Sequence, residues 1–167
     1  MILKIDDWEF DIDLERTMAY SAAEAAEHCD CAYCRNFYAA VDETFPGLRP
    51  FLSQFGIDVE APDELMPFTA RNLCVLYAVS GRITHIGKEP IFLETLRVDP
   101  EDPMVSMINT DCPRPIFILS VGPFDIPWVL DEPLVEDEIV SPANQPSFLK
   151  KMWDRLLGLL KPDGPVS

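Results

Sequence analysis

The sequence predicts an α+β fold: a single domain over residues 1–167, built on a mainly antiparallel sheet of about five or six strands, with N-terminal helices and a C-terminal helix packed on it. Three observations lead there. Trp8, Phe10, Ile12 and Leu14 alternate with Glu9, Asp11 and Asp13, the period of a strand with one face on a core and one in water. Leu73 to Val79 and Ile116 to Val121 are nearly unbroken apolar runs, the pattern of central strands buried on both faces. Ser147 to Leu160 collects Phe148, Leu149, Met152, Trp153, Leu156, Leu157, Leu159 and Leu160 on one wide apolar face and leaves Lys150, Lys151 and Arg155 outside it.

Taken in order, the first strand runs from Trp8 to Leu14. Ser21-Ala22-Ala23-Glu24 then has the form of a capping box, in which the serine hydroxyl accepts from an early helix N–H and the glutamate reaches back. A short alanine-rich helix to His28 is expected after it. Phe37, Val41 and Phe45 recur at helical spacing until Pro46 stops the pattern. Gly47 to Phe55 makes a further short helix, with Pro50 tolerated in its first turn and Gly56 placed to terminate it. Twelve of the sixteen prolines lie from Pro90 onward, so the remaining strands must fit between them. Ser80-Gly81 suggests a hairpin turn into Ile83-Thr84-His85-Ile86, Ile91 to Val98 suggests one more strand, and Phe124 to Leu130, broken by Pro127, suggests an edge segment.

A 167-residue chain with 48% apolar and 25% charged residues is long and apolar enough to bury a core without disulfides or metals. No apolar run approaches the roughly 20 residues that cross a bilayer. Acids occupy the positions of the N-terminus where a secretion signal places its hydrophobic stretch, so a cytoplasmic protein is expected. The formal charge of −16 repels phosphate backbones and anionic headgroups, which argues against nucleic acid or membrane as partner. The acids are concentrated in Asp6 to Glu15 and in a stretch from Pro115 to Leu149 that has no Lys or Arg. Such runs form solvated faces, or surfaces that dock a basic protein.

His28-Cys29-Asp30-Cys31-Ala32-Tyr33-Cys34 places three thiols between one helix end and the next helix start. The N-terminal end of that second helix offers partial positive charge and free N–H groups, which would lower the pKa of Cys31 or Cys34. Three readings fit. The cysteines are ordinary reduced, partly buried thiols, since C-x-C-x-x-C has no paired second knuckle. They are a zinc site, with Cys29, Cys31 and Cys34 as ligands and the fourth position taken by His28, His85, Cys74, Cys112 or solvent. Or Cys31-Ala32-Tyr33-Cys34 does thiol-redox work; the tetrapeptide resembles a glutaredoxin-type site, but that fold needs a strand directly before it, where this chain has an alanine-rich stretch. An iron–sulfur centre normally requires a fourth cysteine at a different spacing.

The run Cys29-x-Cys31-x-x-Cys34-Arg35-Asn36-Phe37, together with Leu48-Arg49-Pro50-Phe51-Leu52, Phe55-Gly56-Ile57-Asp58 and Ser141-Pro142-Ala143-Asn144, resembles a group of small acidic bacterial proteins whose function is not established. The resemblance spans most of the chain. It implies one shared domain and a bacterial cytosolic setting, and it lends no activity, cofactor or catalytic residue.

No G-x-S-x-G elbow, P-loop or dinucleotide fingerprint occurs, and only His28 and His85 can act as near-neutral bases. His85, within an alternating strand, reads as structural. The expectation is therefore a non-enzymatic binding or interaction module with an acidic surface, of which an immunity or antitoxin role is one form. The alternative is a cysteine- or zinc-dependent enzyme using Cys34 or a cysteine-bound metal, with His28 or His85 as base.

Overall fold

A computed structural model describes residues 1–27, 29–69, 71–100 and 108–133. His28, the helix expected over Ser147 to Leu160, and the acids Glu136, Asp137 and Glu138 lie outside the described residues, as does the far end of the expected 1–167 domain. The elements run β1 (Ile2–Ile5), β2 (Trp8–Ile12), α1 (Leu14–Ala26), α2 (Ala32–Thr44), α3 (Leu48–Ser53), β3 (Glu64–Pro67), β4 (Asn72–His85), β5 (Ile91–Leu93), β6 (Leu96–Asp99) and β7 (Ile116–Asp125). The α+β class is as expected. Among the described residues all strand pairs are antiparallel, in the order β1-β2-β4-β7-β6-β5, with β3 also on β4.

Among the described residues seven strands stand against the five or six expected, for local reasons. β1 pairs with β2 through a tight turn in which Asp6 takes φ 51°, and β3 is short and ends on Pro67. The stretch Ile91 to Val98 is a hairpin rather than one strand: Glu94 adopts φ 55° and Leu93 faces Leu96 across the turn. Of Phe124 to Leu130, the first two residues end β7 and the rest is not strand.

In β2 the alternation holds, with Trp8, Phe10 and Ile12 buried and Asp11 exposed. The strand stops before Leu14, however, and the capping box is not used. α1 starts at Leu14 because the Asp13 carboxylate accepts the Arg16 N–H at 3.2 Å, capping the helix well ahead of Ser21. Ser21 is instead buried inside the helix, where its hydroxyl accepts the Asp58 N–H at 2.8 Å. α2 buries Phe37, Ala40 and Val41 as its spacing predicts, and α3 carries Pro50 in its first turn. Gly56 follows with φ +83°, while the Ile57 N–H reaches back to the Leu52 carbonyl at 3.2 Å.

β4 is the spine. Its odd residues Leu73, Val75, Tyr77 and Val79 join β2, α2, α3 and β7 in one continuous core, and Phe10 stacks on Phe117 with centroids 5.3 Å apart. No hairpin forms at Ser80-Gly81, because β4 runs straight through to His85. Gly81 is needed for close approach: with φ +153°, a Cβ there would lie 2.4 Å from the Asp11 carbonyl oxygen of β2.

The edge of β4 opposite β7 is shared by two strands. β3 pairs with Leu73 to Leu76, and β2 with Gly81 to His85. Side chains bridge the interval. The Ala78 N–H donates to Asp63 Oδ2 at 2.6 Å, and the Ser80 N–H donates to Thr17 Oγ1 at 3.1 Å, while the Ser80 carbonyl accepts from the Asp13 N–H at 2.9 Å. Tyr20 of α1 donates to the other Asp63 oxygen at 2.6 Å, so α1 completes the sheet edge through polar groups.

Candidate metal centre

The three cysteines sit where the chain leaves α1 and enters α2. Cys31 is the N-cap of α2, extended at φ −72° and ψ 158°, and its carbonyl accepts the first helical bond from the Arg35 N–H at 3.0 Å. Its side chain makes no capping hydrogen bond. Asp30, the residue chemically suited to cap, is held by Arg35, whose guanidinium donates to both the Asp30 carbonyl and its carboxylate. Cys34 lies in the first turn and is buried at 7% exposure, while Cys29 and Cys31 are exposed. The three sulfur atoms lie within 4.8 Å of one another.

Sulfurs around a tetrahedral zinc at about 2.3 Å are about 3.8 Å apart, so small side-chain rotations would bring this set onto a metal. The donor set also fits a soft cation, since among the described residues the cluster consists of thiols alone. The thiols are not equivalent. Cys29 is drawn below the ordinary thiol range, first because it accepts from the Cys31 backbone N–H and then through the Cys31 side chain. Burial, followed by the hydrogen bond with Cys31, pushes Cys34 above that range. The expected lowering of Cys34 by the helix N-terminus is thus overturned by desolvation, which disfavours Cys34 as the thiol that first attacks an incoming reagent.

A second segment backs the cluster. Asn36, 2% exposed on the inner face of α2, donates from Nδ2 to the Pro127 carbonyl at 3.0 Å and accepts the Val129 N–H at Oδ1 at 2.7 Å. Tyr33 meets Trp128 edge to face, with centroids 6.0 Å apart, and Trp128 Nε1 donates to the Glu132 carbonyl at 2.9 Å. Arg35, besides holding Asp30, pairs with the Glu132 carboxylate. The cysteine loop is thereby tied to residues 127–132 through one buried amide, one ring pair and one guanidinium.

Other candidate ligands are elsewhere. His85 faces Glu9 of β2 at the exposed end of β4. Cys74 is buried with its sulfur 3.3 Å from Ser120 Oγ, and Cys112 is buried, its thiol pushed up to about 12 by desolvation and by the Asp63 and Glu24 carboxylates. All five cysteines are reduced. Several acids of the charged stretches are already engaged: Glu9 with Lys4 at 2.6 Å, Asp13 with Arg16 at 3.3 Å, and Glu132 with Arg35. Asn36 and Trp128 were not foreseen as parts of the site. The available signal was Asn36 itself, a polar residue among the apolar positions of α2 that must find buried partners. Among the described residues, no helix is long and apolar enough to cross a membrane. Comparison of the chain with protein-family models, curated proteins and solved structures finds no match.

Proposed function

We propose that this chain is a non-enzymatic binding module in which Cys29, Cys31 and Cys34 hold a zinc ion that shapes the surface formed by the start of α2 and residues 127–132. The observation that carries this reading is the convergence of three thiols within 4.8 Å at one helix start. Zinc is favoured over an iron–sulfur cluster because neither of the two remaining cysteines belongs to the group, so the chain does not assemble four thiolates there. The fourth position falls to His28, to solvent or to a partner's side chain. The net charge of −16 leaves a large excess of carboxylates after the internal ion pairs, so the partner we propose is a basic protein.

The test is elemental analysis of the full chain purified without chelator or a metal-binding tag, alongside Cys31→Ser. The parent should carry about one zinc per chain. With zinc at about 100 times its dissociation constant, bound metal adds about 2.7 kcal/mol, equivalent to about 5–10 °C in melting temperature, which Cys31→Ser should lose. Substoichiometric zinc together with equal melting temperatures would refute the metal reading.

A further inference from the structure

We propose that Cys31 and Cys34 also form a reversible disulfide across the first turn of α2, and that this disulfide and the zinc ion are mutually exclusive occupants of the site. The inference rests on the metal reading above for its second half. Its first half rests on geometry. Cys31 is the N-cap and Cys34 the third helical residue, the two positions that a capping box brings side by side, and here both carry thiols. Residues three apart at a helix start have Cα separations of about 5–5.5 Å, within the range that a disulfide spans without backbone movement. Their sulfurs are already within 4.8 Å. Exposure is divided as sequential exchange requires: Cys31 is open to an incoming reagent, and Cys34 is 7% exposed and shielded from it. Cys29 reaches the group from the loop ahead of the cap and stands outside the C-x-x-C pair.

The oxidant is a low-molecular-weight disulfide. The Cys31 thiolate attacks one of its sulfurs; the Cys31–reagent S–S bond forms, the reagent's own S–S bond breaks, and the first thiolate leaves. Cys34 then gives up its proton and attacks the Cys31 sulfur, forming the Cys31–Cys34 bond and expelling the second reagent thiolate. In the metal-free chain two cysteine thiols are oxidised by two electrons and their two protons end on the two reagent thiols; in the zinc-loaded chain both are already thiolates, and the reagent thiolates take their protons from water. Zinc loses two of its three protein thiolates and is released.

The experiment uses the full chain, metal-free and zinc-loaded, incubated with oxidised glutathione. Remaining thiols are alkylated and mapped by peptide mass spectrometry, and released zinc is read with a chromophoric chelator. The expected result is a Cys31–Cys34 disulfide in the metal-free chain, with zinc released one for one as the same disulfide forms in the loaded chain. Cys29→Ser should keep the disulfide while binding zinc more weakly by more than the roughly 10–100-fold that loss of a mere outer-shell partner costs. A metal-free chain that forms no Cys31–Cys34 disulfide, or one dominated by a bond to Cys29, overturns this inference and leaves the metal reading intact. Zinc retained on a chain with the disulfide formed also overturns it. A reduced chain that binds no zinc removes the metal reading, and exclusivity with it.

Discussion

Replacing Asn36 by Ala should cost more than any other single change near the cysteine loop. Asn36 is 2% exposed and makes two hydrogen bonds, at 3.0 Å to the Pro127 carbonyl and at 2.7 Å from the Val129 N–H. Truncation orphans both backbone groups, at about 1–3 kcal/mol for each one left buried and unpaired. Pro127 and Val129 are themselves exposed residues, so water can re-solvate part of that loss. The expected destabilisation is therefore about 2–3 kcal/mol, in the lower half of the unscreened range. In a domain of this size it lowers the melting temperature by about 4–12 °C. The assay is urea unfolding followed by tryptophan fluorescence and by far-ultraviolet circular dichroism, with Asn36→Leu as a control that fills the space without hydrogen bonding. Both variants should be destabilised. An Asn36→Leu chain as stable as the parent would show that the amide serves only to fill volume, and would remove the argument that it ties residues 127–129 to α2.

Gly81→Ala should destabilise by several kcal/mol, since the new Cβ meets the Asp11 carbonyl oxygen at 2.4 Å in a backbone conformation alanine resists; unchanged stability by thermal melting would contradict the close approach. Arg49→Gln removes a guanidinium shared by Asp42 at 2.8 Å, Asp58 at 3.1 Å and Glu60 at 3.0 Å. All four side chains are more than a third exposed, so after solvent screening the loss is about 1 kcal/mol at pH 7. Arg49 holds the Asp42 carboxyl below its ordinary range, so the advantage of the parent is present above about pH 4 and is lost as the pH falls through that lowered value. Parallel stability curves for parent and Arg49→Gln in acid would contradict it. Thr17→Val keeps the shape of a fully buried side chain but leaves the Ser80 N–H without its acceptor, which should cost about 1–3 kcal/mol by chemical denaturation; a neutral outcome would mean that this hydrogen bond is replaceable.

The strands were legible where their residues obey one rule at a time. Trp8 to Ile12 alternate because one face is wet, and Leu73 to Val79 do not because β4 is covered on both faces. α1 was misplaced because it docks through hydroxyls: Thr17 and Ser21 are its buried residues, and no apolar stripe announces such a face. Leu14 also extended the alternation of β2 by one step, hiding the switch of period at Asp13. The Ser80-Gly81 pair looked like a turn because glycine serves turns and close backbone approach alike, and only the neighbouring strand distinguishes the two. At the site, the convergence of the three thiols could be read from spacing, since cysteines in C-x-C-x-x-C at a helix start have little room to diverge. Its support could not, because Asn36 and Arg35 act on residues 127–132, across a sequence distance that no local pattern spans.

The shared edge of β4 has a consequence for how the molecule opens. The Ala78 and Ser80 amides are not held by a neighbouring strand; their acceptors are Asp63, which Tyr20 of α1 grips, and Thr17 of α1 itself. Their exchange with deuterium therefore meters the undocking of one helix rather than the parting of two strands. Flanking amides in ladder hydrogen bonds, such as that of Tyr77 opposite Leu119 of β7, keep a different clock set by the sheet. The middle of the longest strand thus holds a helix-release gauge and a sheet-release gauge side by side. The same arrangement denies an invading strand the one interval of that edge where β2 and β3 do not reach.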